Sequence, residues 1–229
     1  ALDRDNPSSV WNCLRAAREN AHAVRGTLTA EMWETTNATW LEIREVTPQK
    51  LQGMDLGEFF EWVKFRSHLL RGVTFGTMLH DEAFKFVRLG TFLERADNTA
   101  RILDVKYYLL LPSVAHIGTS IDNVQWETIL RSVSAHRAYR WLYGTEISAL
   151  KIAEFLILYK QMPRSLAFCS ERMENHLAQL QRHYGEETEA WRLAHALMLP
   201  KDRPLWCAPG PTMFASVRAS TSRCRTRGS

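Results

Sequence analysis

The spacing of the apolar residues constrains this chain more than any other feature. They recur at steps of three and four through most of residues 6–199, and no stretch alternates as a strand would. The 11 glycines and 8 prolines are few, and they fall mostly between the periodic segments. The chain therefore reads as all-α, a mainly antiparallel multi-helix bundle. With 229 residues it has enough length to bury a core without a metal or disulfide staple.

The individual helices have recognisable starts. Asn6-Pro7 predicts a cap followed by a first-turn proline, and Val10, Leu14, Ala17, Ala21, Val24 and Leu28 then draw one apolar stripe. Thr29 is placed to cap a second helix running towards Glu45, with Glu31 in its positively polarised first turn. Thr47-Pro48 repeats the start signal. Further helices are predicted over 56–79 and from Asp81 to about Leu110, with a loop at 112–121. Asp122 is the expected cap of the next helix, and Gly144 the expected stop of the one after it. The segment after Ser148 is apolar on nearly every side and should lie in the centre of the bundle. Pro163 should open a helix to about Tyr184, and 187–199 is the last periodic segment.

The helical domain thus covers residues 1–200. Residues 201–229 carry three prolines and no apolar period, as expected of a disordered tail or of sequence foreign to the fold. One internal echo stands out. Pro7, Ser9 and Cys13 recur in the same relative positions as Pro163, Ser165 and Cys169, which hints at a duplicated helical unit.

Charge and cysteine usage exclude several classes. The net charge is only +4, and Arg218, Arg223, Arg225 and Arg227 in the tail account for as many positive charges, so no nucleic-acid surface is expected. The 4 cysteines form no C-x-x-C pair, which points away from a zinc knuckle and towards a reducing cytoplasm. Cys13 and Cys169 lie in apolar helical patterns and should act as small buried hydrophobes. No apolar run reaches the roughly 20 residues that span a bilayer, and the first residues have no signal core. The chain opens on Ala1 without an initiator Met, as a processed or truncated chain would. Nucleotide-binding glycine loops, a nucleophile elbow and a zinc-protease helix are missing from the sequence, so no cofactor is predicted.

The most unusual polar pattern lies at 88–106. On a helix, Glu94, Asp97, Arg101 and Asp104 follow one another at steps of three, four and three, which places acid, acid, base and acid on one face. Gly90, on the same face, would let a ligand or a second backbone approach. Phe86, Leu89, Leu93, Ala96 and Ala100 describe an adjoining apolar face. The bland alternative is an Asp97–Arg101 ion pair on a solvated surface. A second cluster, Glu19, Asn20 and Glu31 with nearby arginines, admits the same two readings. Glu19-x-x-His22 is the one Glu-x-x-His spacing in the chain, where a ferritin-like di-metal site needs two.

Several of these strings, in their order and spacing, resemble the bacterial alpha-E domain family over about residues 5–185. They are Asn6-Pro7-Ser8-Ser9-Val10 with Ala17-Arg18-Glu19-Asn20-Ala21, Glu31-Met32-Trp33 with Asn37, and the run from Leu93 to Asp104. Gln125-Trp126, Ala153-Glu154-Phe155-Leu156 and Pro163-Arg164-Ser165 complete the set. The resemblance implies an all-helical fold. It also implies a setting beside a circularly permuted ATP-grasp ligase and a transglutaminase-like peptidase, in a system that makes or trims a peptide-like product. It marks Glu19, Asn20, Glu31, Glu94, Arg95, Asp97, Arg101 and Asp104 as candidate binding positions. By the same resemblance the chain is a fragment, without the N-terminal helices and their own Glu-Arg-Ala motif. Three functions follow as expectations. The first is an accessory or interaction component of that system. The second is an enzyme using Glu94 or Asp97 as general acid or base, with Arg95 or Arg101 holding a carboxylate. The third is a ferritin-like metal protein.

Overall fold

The computed structural model describes residues 1–47, 49–50, 53, 55–108, 119–185 and 188–196. The expected start at Thr47-Pro48, most of the loop at 112–121 and the tail at 201–229 lie wholly or partly outside these residues. All regular structure among the described residues is helical. The chain divides into two compact units, Ala1–Phe84 and Lys85–Ser229.

The first unit is built on α1 (Val10–Ala23), α2 (Ala30–Arg44) and α3 (Leu56–Thr77). Helix α1 is capped by Ser9, whose hydroxyl accepts from the Asn12 amide at 3.2 Å, so the start lies past the expected Asn6-Pro7. Asn6 serves instead as a carbonyl acceptor for the buried Asn12 side chain, at 2.9 Å. The stripe also breaks early: α1 ends at Ala23, and Arg25–Thr27 form a single tight turn. Thr29 caps α2 as expected and touches the Thr77 hydroxyl at 2.8 Å. Near the other end of α2, Glu42 accepts from the Trp62 indole at 3.0 Å and pairs with Arg66. The start of α2 therefore meets the end of α3, and the two run antiparallel. Arg18 donates to Asn37 at 3.3 Å and ties α1 to α2. Met32, Ile43 and Phe59 are among the buried apolar residues of this unit.

The second unit takes in most of α4 (Glu82–Tyr108), then α5 (Ser120–Ser132), α6 (His136–Tyr143), α7 (Ala149–Leu158), α8 (Leu166–Tyr184) and α9 (Glu189–Ala196). Helix α7 is the central helix the sequence predicts: Ile152, Ala153, Phe155, Leu156 and Ile157 are all buried. They pack with Leu103 of α4 and with Trp126 and Leu130 of α5. Gly144 stops α6 with a positive φ of 78°, a backbone state that costs a residue without Cβ little. The cap of α8 is Ser165 rather than the Pro163 turn, with the Ser165 hydroxyl accepting from the Phe168 amide at 3.0 Å. The echo between the two halves is thus a shared capping device. In each copy Pro precedes a buried cap serine by two residues, and Cys follows four residues after that serine. The cysteines differ: Cys169 is buried as expected, whereas Cys13 is exposed, because its position on α1 falls off the face that Asn12 and Ala21 bury.

The helix at 120–132 corrects one further expectation. Its cap is Thr119, which accepts from the Asp122 amide at 3.3 Å. Asp122 lies inside the first turn and is buried, which frees its carboxylate for another partner.

Candidate functional site

Helix α4 carries the polar stripe, and its outer face is a local ion-pair arrangement. Arg101 Nε donates to Asp97 Oδ2 at 2.7 Å. That hydrogen bond and the charge of Asp97, with a smaller contribution from Asp104, raise the proton affinity of the Arg101 guanidinium. Glu94 is exposed and accepts from the Asn98 amide at 3.5 Å, the long limit of such a bond. Asp97 and Asp104 are half-buried, and Arg101 is exposed. A general acid or base needs enclosure in a cleft to tune it, and Glu94 stands in water instead. Gly90 also faces open space, with nothing within 4 Å of where a Cβ would stand, so the close approach expected there is not made.

Arg95 leaves this group. Its guanidinium sits 5.9 Å from the centroid of the Phe92 ring, and its charge acts on Cys169 of α8. Cys169 is fully buried, and burial pushes its thiol up to about 11 against the pull of Arg95 and Arg164. Cys169 should therefore resist iodoacetamide in the folded chain at pH 8 while Cys13 is alkylated, as mass mapping of the labelled peptides would show. Equal labelling of both would contradict the packing of α4 on α8.

Glu19, Asn20 and Glu31 belong to the first unit. Glu19 pairs with Arg15 at 3.3 Å, one turn earlier, and both are exposed. Asn20 is exposed, and Glu31 is exposed in the first turn of α2.

The buried face of α4 differs in part from the sequence expectation. Phe86 and Leu93, assigned to the apolar face, are 56% and 51% exposed. The buried stripe is Phe92, Thr99, Leu103 and Lys106, together with Ala100. Of the expected apolar face, Ala100 is buried and Leu89 and Ala96 pack beside Phe92 and Cys169, so the expectation fails at Phe86 and Leu93 and omits Thr99 and Lys106. Thr99 is satisfied by donating to the Arg164 carbonyl at 2.8 Å.

Lys106 is the functional-looking residue the sequence reading missed. Its side chain is 0% exposed, yet its Nζ donates to Asp122 Oδ1 at 2.5 Å and to Gln125 Oε1 at 2.7 Å. The ammonium also lies 5.3 Å from the centroid of the Trp126 ring. One signal was available: Lys106 is three residues past Leu103, in phase with the buried stripe. The partners on α5 could not be read from α4. Among the described residues no three His, Cys, Asp or Glu side chains gather as metal ligands would, and no helix is long and apolar enough to cross a membrane.

These features define a class: an all-helical protein whose long α4 carries a Glu-Arg pair with its two members turned to different surroundings. Two such dipeptides occur, Glu94-Arg95 on α4 and Glu171-Arg172 on α8. The chain belongs to the Alpha-E family, whose profile, described as "a predicted alpha-helical domain with a conserved ER motif", matches residues 1–200. No curated protein and no solved structure matches it.

Proposed function

We propose that this Alpha-E chain is a cytoplasmic accessory component of a peptide- or amide-bond-forming system. Its partners in this reading are a circularly permuted ATP-grasp protein and a transglutaminase-like peptidase, and its contact surface is the outer face of α4. The observation that supports this reading is the placement of the acid-base pattern on that face. Glu94 and Arg101 are exposed, and Asp97 accepts a hydrogen bond from Arg101. An exposed pair at this spacing contributes only about 0.3–0.5 kcal/mol to folding. The stripe is therefore nearly dispensable for stability and available for recognition, where complementary charge sets partner choice and association rate.

The test is affinity capture from the native host with a full-length version, comparing wild type with Glu94→Ala/Asp97→Ala. The variant should keep its helical circular dichroism and lose the ligase or the peptidase. Unchanged partners in a folded variant would overturn the reading. Loss of helix would make the stripe structural and overturn it equally.

A further inference from the structure

A different arrangement occupies the side of α4 that meets α8. Along α4, Lys85, Arg88, Phe92 and Arg95 follow at steps of three, four and three. Along α8, Phe168, Arg172 and His176 follow at steps of four. The stripes interleave through their rings. Phe92 meets Phe168 edge-on at 6.0 Å and stacks with His176 at 6.0 Å, the planes tilted by 21°. Thr99 bonds the Arg164 carbonyl farther along, so the two helices run antiparallel.

Cations lie on this aromatic floor. The Arg88 guanidinium is 4.5 Å from the Phe92 centroid, and that of Arg172 is 5.0 Å from the Phe168 centroid. Resting on a ring holds a guanidinium in place, and the planar fork of a guanidinium matches an oxyanion in shape and charge. The charged groups that act on His176 are Arg88, Arg172 and Lys85, all cations. Burial first, and then these charges, hold its imidazole below the usual histidine range. The carboxylates nearest in sequence on α8 turn elsewhere: Glu174 contacts His195 of α9 at 2.6 Å, and Glu171 lies 4.0 Å from Lys160. His176 Nδ1 is buried and has no hydrogen-bond partner.

Like charges gathered beside a half-buried imidazole whose Nδ1 lacks a partner oppose folding. One ligand answers both features, an anion that accepts hydrogen bonds. We propose that the faces of α4 and α8 form a binding site for an oxyanion, a phosphate or carboxylate group of a small ligand. Lys85, Arg88 and Arg172 supply the charge and His176 a hydrogen bond. What matters is the summed charge, so none of these cations has to lack other contacts. The site lies apart from the Glu94–Arg101 face, and it stands whether or not that face carries a partner.

The experiment is a histidine NMR titration of the full chain, with the His176 ring signal identified by its loss in His176→Gln. Inorganic phosphate is added at constant ionic strength against a sodium chloride control, with acetate as a second arm. An anion in the site favours the imidazolium, so the His176 titration should move up saturably by about one pH unit. A response to phosphate alone assigns a phosphate ligand; a response to acetate as well assigns the shared oxyanion chemistry. Arg88→Gln and Arg172→Gln, verified as helical, should each weaken phosphate at least about tenfold. The proposal is overturned if neither anion moves His176 beyond the chloride control. It is equally overturned if both folded variants bind phosphate as wild type does. Where a variant loses its helix, the wild-type titration still decides.

Discussion

Asp122→Ala will destabilise the second unit by about 3–5 kcal/mol, the largest loss expected from a single polar substitution in this chain. The magnitude comes from what remains behind. Lys106 is 0% exposed and Asp122 4%, so removing the carboxylate leaves an ammonium in the core with Gln125 and the Trp126 ring as its remaining neighbours. Two charges taken out of water recover much of that cost through each other, and the contact of Lys106 with Gln125 as a second acceptor adds to the recovery. Lys106→Met should fall short of Asp122→Ala, because it leaves a carboxylate that already sits in the positively polarised first turn of α5. The double variant Lys106→Met/Asp122→Asn should recover at least half of the Asp122→Ala loss, since neither residue then brings a charge into the interior. Thermal circular dichroism of the full chain would register Asp122→Ala as a fall of roughly 10 °C in the affected transition. Hydrogen exchange read by mass spectrometry would place the loss in α4 and α5. A loss under about 1 kcal/mol for Asp122→Ala would mean that water reaches Lys106 and that the pair is not part of the core.

The same pair marks where sequence reading stops. Helix content, the Thr29 cap, the Gly144 stop, the burial of Cys169 and the central place of α7 all follow from periodicity and local chemistry, which a single sequence displays. The Asp97–Arg101 contact was also visible, because its partners are one turn apart on one helix. What was hidden depends on a second helix. Lys106 looks like a solvated last-turn lysine until Asp122 and Gln125 of α5 are set against it. Arg95 looks like a companion of Glu94 until Phe92 and Cys169 draw it to the opposite side. The apolar pattern of α4 finds Leu89, Ala96 and Ala100 but not the polar members of the buried stripe, Thr99 and Lys106, whose burial rests on acceptors contributed by residues 164 and 122. Cys13 shows the converse, an apolar residue in a helical pattern whose position nonetheless faces out.

The second large effect lies in α7, where Phe155 is completely buried at the centre of a group of rings. It meets Tyr139 at 5.9 Å and Tyr143 at 6.0 Å, both edge-on, and Tyr159 at 5.2 Å. Tyr139 in turn bridges backbone on the approach to α7: its hydroxyl donates to the Glu146 carbonyl at 3.2 Å and accepts from the Ser148 amide at 3.4 Å. Burial raises the proton affinity of both Tyr139 and Tyr143, consistent with phenols held among apolar neighbours. Phe155→Ala deletes the ring that α6 and the end of α7 share, and the hydrogen-bonded Tyr139 is poorly placed to collapse into the space. The expected cost is therefore about 3–5 kcal/mol. Phe155→Leu keeps most of the volume and should cost under about 2 kcal/mol. Trp141, only two residues from Tyr139 but 85% exposed, provides the control: Trp141→Ala should stay within about 0.5 kcal/mol of wild type. Thermal melts of the three variants should rank them in that order. A Phe155→Ala melt no lower than that of Trp141→Ala would remove α7 from the centre of the second unit. The position derived for Lys106 rests on the same core, through Leu103 and Trp126, so that result would remove its basis as well.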